Sequence, residues 1–198
     1  MANYCFKDSL KRFFSLNKIF IIFILVIFVL GFVTGIFCFA KSNVDLSLSY
    51  VQNIPLRNLL LIKTSIIGFA FFEILITLAI LIILYLLSFL KIANILYPIM
   101  LFYFAYIIGI DCAVIFALCG LKGIFISIIT FLAQGLSILI LFLYAYKMHL
   151  HNKEQCMYGK SSIYGYELKI SLFVLAIVAI IIVLESIMLW LLFKIFVF

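Results

Sequence analysis

The chain has 198 residues, of which 69% are hydrophobic and only 11% are charged, and its formal net charge is +7. Soluble domains average about 45–50% apolar and about 25% charged residues, so this composition excludes an ordinary soluble globular protein. The basic residues stand at the ends of apolar runs and do not follow one groove-binding face. This placement argues against a nucleic-acid partner and favours contact with anionic lipid headgroups.

Five apolar runs follow a basic amphipathic arm, residues 1–18, which has the pattern of a helix lying in the membrane interface. A span needs about 20 predominantly apolar residues, and the first run is too long for the core of a signal peptide. We therefore predict a single transmembrane domain, an all-α polytopic membrane helix bundle in a cell membrane. Its predicted spans are about 19–40, 66–89, 97–119, 124–146 and 170–193.

The distribution of lysine and arginine predicts the orientation of these spans. With the N-terminus inside, the cytoplasmic segments carry more basic residues than the outer segments, as the positive-inside rule requires. We therefore predict an inner N-terminus and an outer C-terminus. The inner set is Lys7, Lys11, Arg12, Lys18, Lys91, Lys147, Lys153, Lys160 and Lys169, and the outer set is Arg57, Lys41, Lys63, Lys122 and Lys194.

The third and fourth spans form a predicted hairpin through the turn 120–123. The third span carries a strip of small residues at every fourth position, Ala105, Gly109, Ala113 and Ala117. Residues four apart share one helix face, and small residues let another backbone approach closely in lipid. We expect this small-residue strip to face the polar stripe of the fourth span, which consists of Ser127, Thr130, Gln134 and Ser137.

Two further features concern helix packing in the first and third spans. Gly31 and Gly35 make a GxxxG motif in the first span, a motif that can pack a second helix or a partner protein. Pro98 suits the first turn of the third span, after a predicted tight turn at 91–94. The polar link 41–58 and the first span are expected to face partners.

Three acids lie inside predicted spans: Glu73, Asp111 and Glu185. The predicted topology puts all three at one depth, in the outer half of the bilayer. Intramembrane acids are candidates for ion or substrate passage. Two other interpretations stay open, namely neutral carboxyls that hydrogen-bond neighbouring helices and carboxyls that contact a partner subunit.

The segment 147–169 is predicted to be a polar inner loop. Its His149 and Cys156 allow a remote interpretation as a membrane cysteine endopeptidase, since a thiolate paired with an imidazole is a competent nucleophile. His149 and His151 are a poor metal site because no further ligands stand at structural spacing. The chain carries no nucleotide-binding, zinc-protease or serine-hydrolase motif. We expect no enzyme activity, no cofactor and no metal.

The order of several segments resembles the stage II sporulation protein M family over nearly the whole chain. A basic arm precedes a span with the segment 29–36, and a span with Pro98 near its start leads through Gly109 to the turn 120–123. The segment 130–136, a basic loop and a final span with Glu185 and Ser186 follow. Ala133 stands where that family usually has proline.

The resemblance implies a non-enzymatic scaffold with five spans in a Gram-positive bacterium. Such a scaffold assembles a peptidoglycan-degrading complex during sporulation and engulfment, with membrane-anchored cell-wall hydrolases as partners. The rival prediction is a membrane subunit of a transporter, a permease or substrate-binding component of the ABC or ECF type that borrows an ATPase. A polar cavity deep in the bundle would favour the transporter.

Overall fold

A computed structural model of the chain describes residues 17–41, 66–158 and 164–196, and the regular structure in these ranges is α-helical. The described residues form five helices, and each contains a stretch long and apolar enough to cross a membrane, which confirms the predicted all-α polytopic bundle. The basic arm up to residue 16 and the link 42–58 lie outside the described residues. The helices are α1 (Lys18–Lys41), α2 (Ile66–Leu87), α3 (Ala93–Cys119), α4 (Leu121–Tyr158) and α5 (Tyr164–Phe196).

The closest helix contact joins α1 to α3 through glycines on both sides. A Cβ atom added at Gly31 would lie 2.5 Å from the carbonyl oxygen of Phe102. One added at Gly35 or Gly109 would collide with the backbone of the opposite helix, at Tyr106 and at Phe32 respectively. Glycine is therefore required at these positions because the two backbones touch there.

The expectation that the small-residue strip faces the polar stripe of α4 is wrong. Ala105 is fully buried beside Gly31 and Gly109 meets Phe32 and Gly35, so the strip packs on α1. Ala113 is half-buried and Ala117 is exposed, so the contact ends before the last turn of α3. The GxxxG motif of α1 supplies the flat surface that fits the strip, which means that this motif is used within the chain.

Helix α4 meets a different face of α3. The hydroxyl of Ser127 donates a hydrogen bond to the carbonyl oxygen of Cys112 at 2.9 Å, and the thiol of Cys112 lies 3.4 Å from the carbonyl oxygen of Ser127. This reciprocal pair satisfies both side chains inside the bundle. Phe28 of α1 reaches Gly135 of α4, so α1 lies along the groove between α3 and α4.

Two turns between helices differ from their predicted positions. Gly120 alone separates α3 from α4, at φ +58°, where its N–H bonds the carbonyl oxygen of Phe116 at 2.9 Å. The turn between α2 and α3 covers 88–92, so α3 begins at Ala93 and Pro98 lies inside it. The predicted place of Pro98 in the first turn is therefore wrong by about one helical turn.

Helix α4 continues far beyond its predicted end. Its 38 residues give a length of about 57 Å, whereas a hydrocarbon core is about 30 Å thick. The predicted inner loop is thus helical as far as Tyr158, and the predicted spans 66–89 and 170–193 correspond to α2 and to the middle of α5. The extension persists because its first turns are buried against the α2–α3 turn.

Polar contacts fasten the α2–α3 turn to this extension. Nδ1 of His149 donates to the carbonyl oxygen of Ser88 at 2.8 Å, and the amide of Asn152 donates to the Ser88 hydroxyl at 2.9 Å. The hydroxyl of Tyr97 lies 3.2 Å from the carbonyl oxygen of Leu84 and 3.5 Å from that of Ala145. We call these contacts of His149, Asn152 and Tyr97 the inner clamp, because they lie at the end of the bundle that the sequence predicts to be cytoplasmic. They join α2, α3 and α4 at one end of the bundle.

Candidate functional site: an acidic cavity between four helices

A cavity of about 200 Å³ lies between α2, α3, α4 and α5. The inner clamp holds α2 and α3 together beside their connecting turn, and the cavity lies between them farther from that turn. Helix α2 packs on α4 and α5 more than on α3. The cavity is lined by Glu73, Ile76, Thr77, Ile80, Phe104, Ile107, Ile108, Asp111, Gln134, Ser137, Ile138, Leu141, Ile182 and Glu185.

Helical periodicity explains how each element contributes to this lining. The α2 residues are spaced three, four and seven positions from Glu73, and the α4 residues have the same spacing from Gln134. The α3 lining residues run from Phe104 to Asp111, and those of α5 are Ile182 and Glu185, three positions apart. Residues at these spacings share one helix face. Each helix therefore presents one stripe to the cavity.

The structure brings together the three acids that the sequence singled out. Glu73 on α2, Asp111 on α3 and Glu185 on α5 all line the same cavity. Asp111 and Glu185 both lie within electrostatic range of Glu73. Because a charge at the centre of a bilayer costs at least about 2.5 kcal/mol, three ionisable groups in one place are expensive unless a ligand, water or a proton compensates them.

Polar groups of α4 stand beside the acids. The amide of Gln134 is a hydrogen-bond donor to the carboxyl of Glu185, yet Oε1 of that carboxyl is buried without a partner among the described residues. The hydroxyl of Ser137 is likewise buried without a partner there. Glu185 is 3% exposed and Ser137 is 5% exposed. Buried polar atoms are normally hydrogen-bonded. The Glu185 carboxylate oxygen can accept a hydrogen bond, and the Ser137 hydroxyl can accept or donate one.

The three carboxyls are spread along the cavity wall and do not converge on one point. Among the residues that the structure describes, no three His, Cys, Asp or Glu side chains lie close enough to hold a metal ion. A ligand that meets all three acids must therefore have some length of its own. Most of the remaining wall is isoleucine, leucine and phenylalanine, which suits an apolar part of such a ligand.

The helix-packing residues predicted from the sequence lie away from this cavity. Gly31, Gly35, Ala105 and Gly109 form the α1–α3 contact, on the opposite face of α3 from Asp111. Of the polar stripe, Gln134 and Ser137 line the cavity and Ser127 pairs with α3. Thr130 is buried, and its hydroxyl has no partner among the residues that the structure describes.

Sequence reasoning missed Thr77 and the apolar walls of the cavity. A signal for Thr77 was present, because it stands four residues after Glu73 on the same face of α2. The isoleucines carried no signal, since an isoleucine that faces lipid and one that faces a cavity look the same in the sequence. The polar residues of the cavity wall can thus be predicted as those that share a helix face with one of the three acids.

His149 was predicted to lie in a solvated loop, and this prediction is wrong. Its side chain is 5% exposed and is occupied with the backbone of Ser88. The side chains of His151 and Cys156 lie outside the described residues. The structure therefore assigns His149 a role in holding the bundle together.

No family model, no curated protein and no solved structure matches this chain. The resemblance to the stage II sporulation protein M family accordingly stays a prediction from the sequence.

Proposed function

We propose that the chain binds a cation inside the bilayer and acts as the membrane component of a transport system. One observation carries this proposal: three carboxyls from three different helices line a single cavity together with unpartnered acceptor atoms. Ionisable residues within membrane helices mark ion and substrate pathways, proton relays and ligand counter-ions. A cation is the ligand that such a set of oxygen atoms attracts.

The packing of the bundle supports the same function. A carboxyl kept for structure alone would be expected to find hydrogen-bond partners on a neighbouring helix, because each unmade bond leaves a buried group unsatisfied. Oε1 of Glu185 lacks such a partner among the described residues. The helices also leave the space beside it unfilled, although protein interiors are normally close-packed. A cavity beside a buried hydrogen-bond acceptor that has no partner among the described residues is typical of a binding site.

Thermal unfolding of the purified full chain in detergent tests cation binding directly. A ligand that binds the folded state raises the melting temperature in proportion to the logarithm of its concentration. We expect at least one cation from a series of chloride salts, sodium, potassium, ammonium and alkylammonium at equal ionic strength, to raise Tm selectively. The Glu185→Gln variant should lose that rise. If no cation raises Tm above the others in the native chain, the proposed function is wrong.

A scaffold for other membrane proteins is the second candidate, as the sequence resemblance implies. The observation that favours it is the use of a single stripe of α1, residues Ile24, Phe28, Gly31 and Gly35, for packing within the chain. Another part of its surface is apolar and exposed, including Phe23, Val26, Leu30 and Phe37. That surface is free for helices of partner proteins as well as for lipid.

Purification of the tagged chain from native membranes in mild detergent tests the scaffold. The resemblance leads us to expect membrane-anchored cell-wall hydrolases in the purified fraction. A second preparation should carry two polar substitutions on α1, Val26→Ser and Leu30→Ser, which leave the glycine contact intact. Recovery of the same partners with both preparations would show that this surface of α1 does not bind them.

A further inference from the structure

We propose that the ligand of the acidic cavity is a small organic ammonium ion with an apolar body, such as a primary alkylamine in its protonated form. This inference rests on the proposed function and names the class of cation. It depends on the unpartnered atoms, on the spread of the carboxyls and on the composition of the walls. Each of the three observations narrows the chemistry of the ligand.

The unpartnered atoms suit a ligand that donates hydrogen bonds, since a carboxylate oxygen accepts them and a serine hydroxyl can accept them as well. Ser137, 5% exposed, and Glu185, 3% exposed, both line the cavity, and each holds an oxygen atom without a partner among the described residues. A primary ammonium group carries three N–H donors. It can therefore donate to the Ser137 hydroxyl and to Oε1 of Glu185 at once, and a hydrogen bond between charged groups is stronger than a neutral one.

The spread of the carboxyls argues against a single metal ion that all three acids coordinate. No three acidic, histidine or cysteine side chains of the described residues are close enough to share one metal ion. An ammonium group bound at Glu185 gains long-range attraction from Asp111 and Glu73 without direct contact, because charges interact over many ångströms in a medium of low dielectric constant. Asp111 and Glu73 thus favour a positively charged ligand, and the unpartnered oxygen atoms of Ser137 and Glu185 fix the position of its charge.

The walls provide for the apolar body. Apolar residues from all four helices, among them Ile80, Phe104, Ile108, Leu141 and Ile182, line the same space. The volume of about 200 Å³ is below the about 300 Å³ at which sites for drug-sized ligands begin. An alkyl chain of a few carbons fits this space, and burying each methylene strengthens binding about fourfold. An alkali ion would gain nothing from these walls.

The cavity is reached from the side of the bundle. Ile76, on the α2 wall, is 39% exposed, and α2 packs less on α3 than on α4 and α5. The lining residues of α2 and α3 fall inside the stretches that are long and apolar enough to cross a membrane, so the gap between the two helices faces the acyl chains of the bilayer. The neutral form of an amine with an apolar body partitions into that region, whereas a hydrated inorganic ion does not.

A melting-temperature series with the full chain in detergent tests this inference. The probes are the chlorides of sodium, ammonium, methylammonium, butylammonium and tetramethylammonium at equal ionic strength. We expect the shift to grow from ammonium to butylammonium and to reach about 5 °C at one hundred times Kd. Tetramethylammonium, which has charge but no N–H donor, should give a smaller shift than butylammonium.

Two serines on neighbouring helices make a matched pair of variants. Ser137→Ala removes an unpartnered hydroxyl from the cavity wall and should weaken butylammonium binding about tenfold. Ser186→Ala removes a buried hydroxyl that is satisfied by the carbonyl oxygen of Ile182 at 2.7 Å and should leave the Kd unchanged. Each shift is measured from the variant's own melting temperature. Equilibrium dialysis of radiolabelled butylamine checks the same ratio without reference to stability.

The outcomes separate the inference from the proposed function. If sodium gives a shift that Glu185→Gln abolishes while butylammonium gives none, the ammonium inference is wrong and the proposed function stands. If no cation gives a shift, both are wrong. If butylammonium gives the same Kd with Ser137→Ala and with Glu185→Gln as with the native chain, it binds elsewhere on the protein–detergent particle, and the inference is again wrong.

Discussion

Helix α3 is packed in opposite ways on its two sides. Towards α1, it carries a glycine, Gly109, and at this position the backbones of the two helices touch. Towards α2, it carries Phe104, Ile108 and Asp111, yet the side chains meet a cavity of about 200 Å³. The open side carries the three carboxyls of Glu73, Asp111 and Glu185, and the closest contacts of the tight side are made by glycines and an alanine. The difference separates the part of the bundle that provides stability from the part that is available to a ligand.

The comparison also shows why the open side does not collapse. The inner clamp joins α2, α3 and α4 beside the α2–α3 turn, through His149 and Tyr97, and the glycine contact holds α3 against α1. Helix α3 is thereby fixed on two sides. In lipid, no hydrophobic force pulls α2 towards it, because acyl chains are as apolar as the side chains. A cavity can therefore persist between the two helices.

The largest expected effect comes from filling the tight side. Gly109→Leu should lower the free energy of unfolding by about 3 kcal/mol or more, because the new side chain would collide with the backbone of Phe32. Unfolding in mixed micelles by titration with a denaturing detergent measures it. The control is Ala117→Leu, at an exposed position of the same strip, which should be neutral. Equal stability of the two variants would show that α1 and α3 do not pack closely.

Loosening the inner clamp should have the next largest effect. His149→Ala should cost about 2 kcal/mol, because the carbonyl oxygen of Ser88 loses its buried donor and a void is left. The same detergent titration measures the loss. Leu136→Ala, on an exposed face of α4, should cost less. A loss no larger than that of the control would contradict the clamp.

Filling the open side should have the opposite sign to filling the tight side. Ser137→Leu should raise the free energy of unfolding by about 1 kcal/mol, because it removes an unsatisfied hydroxyl and buries apolar surface in an existing cavity. Binding of butylammonium should be lost at the same time. Ser186→Leu, at a buried position outside the cavity wall, should instead destabilise the bundle. Destabilisation by both leucines would show that the cavity cannot accept a side chain.

The smallest effect concerns the second contact of the clamp. Tyr97→Phe removes only the hydroxyl that lies near the carbonyl oxygens of Leu84 and Ala145 and should cost about 1 kcal/mol or less. Hydrogen exchange should report faster opening at the inner end of α2 and no change in the α1–α3 contact. Uniformly faster exchange in all helices would show that the Tyr97 hydroxyl stabilises the whole bundle and not only the end beside the α2–α3 turn.

The polar and small residues made much of this molecule predictable. Long apolar runs predicted the five helices, since a backbone in lipid must satisfy its own hydrogen bonds. Gly31, Gly35 and Gly109 were recognised as packing residues, and Glu73, Asp111 and Glu185 were recognised as the ionisable groups of the spans. These residues stand out because each is costly or unusual in an apolar helix.

The pairing of faces was less predictable, and the errors show the reason. The small-residue strip was assigned to α4 and packs on α1, and His149 was assigned to a loop and lies in the inner clamp. A soluble helix reveals its inner face by its polar outer face. In this chain both faces are apolar, so the pattern does not distinguish lipid from protein. The neighbours of Ala105 or Ile108 could not be derived from periodicity.

Apolar length and the rare glycines and acids determined, from the sequence alone, how many helices cross the membrane and which positions are exceptional. The tertiary structure decided which exceptional positions meet. It set the glycines of α1 against those of α3, gathered the acids of α2, α3 and α5 around one space, and left that space open. The physical reason is that close packing in lipid depends on the fit of two surfaces, and a fit belongs to the pair and is not encoded in either helix by itself.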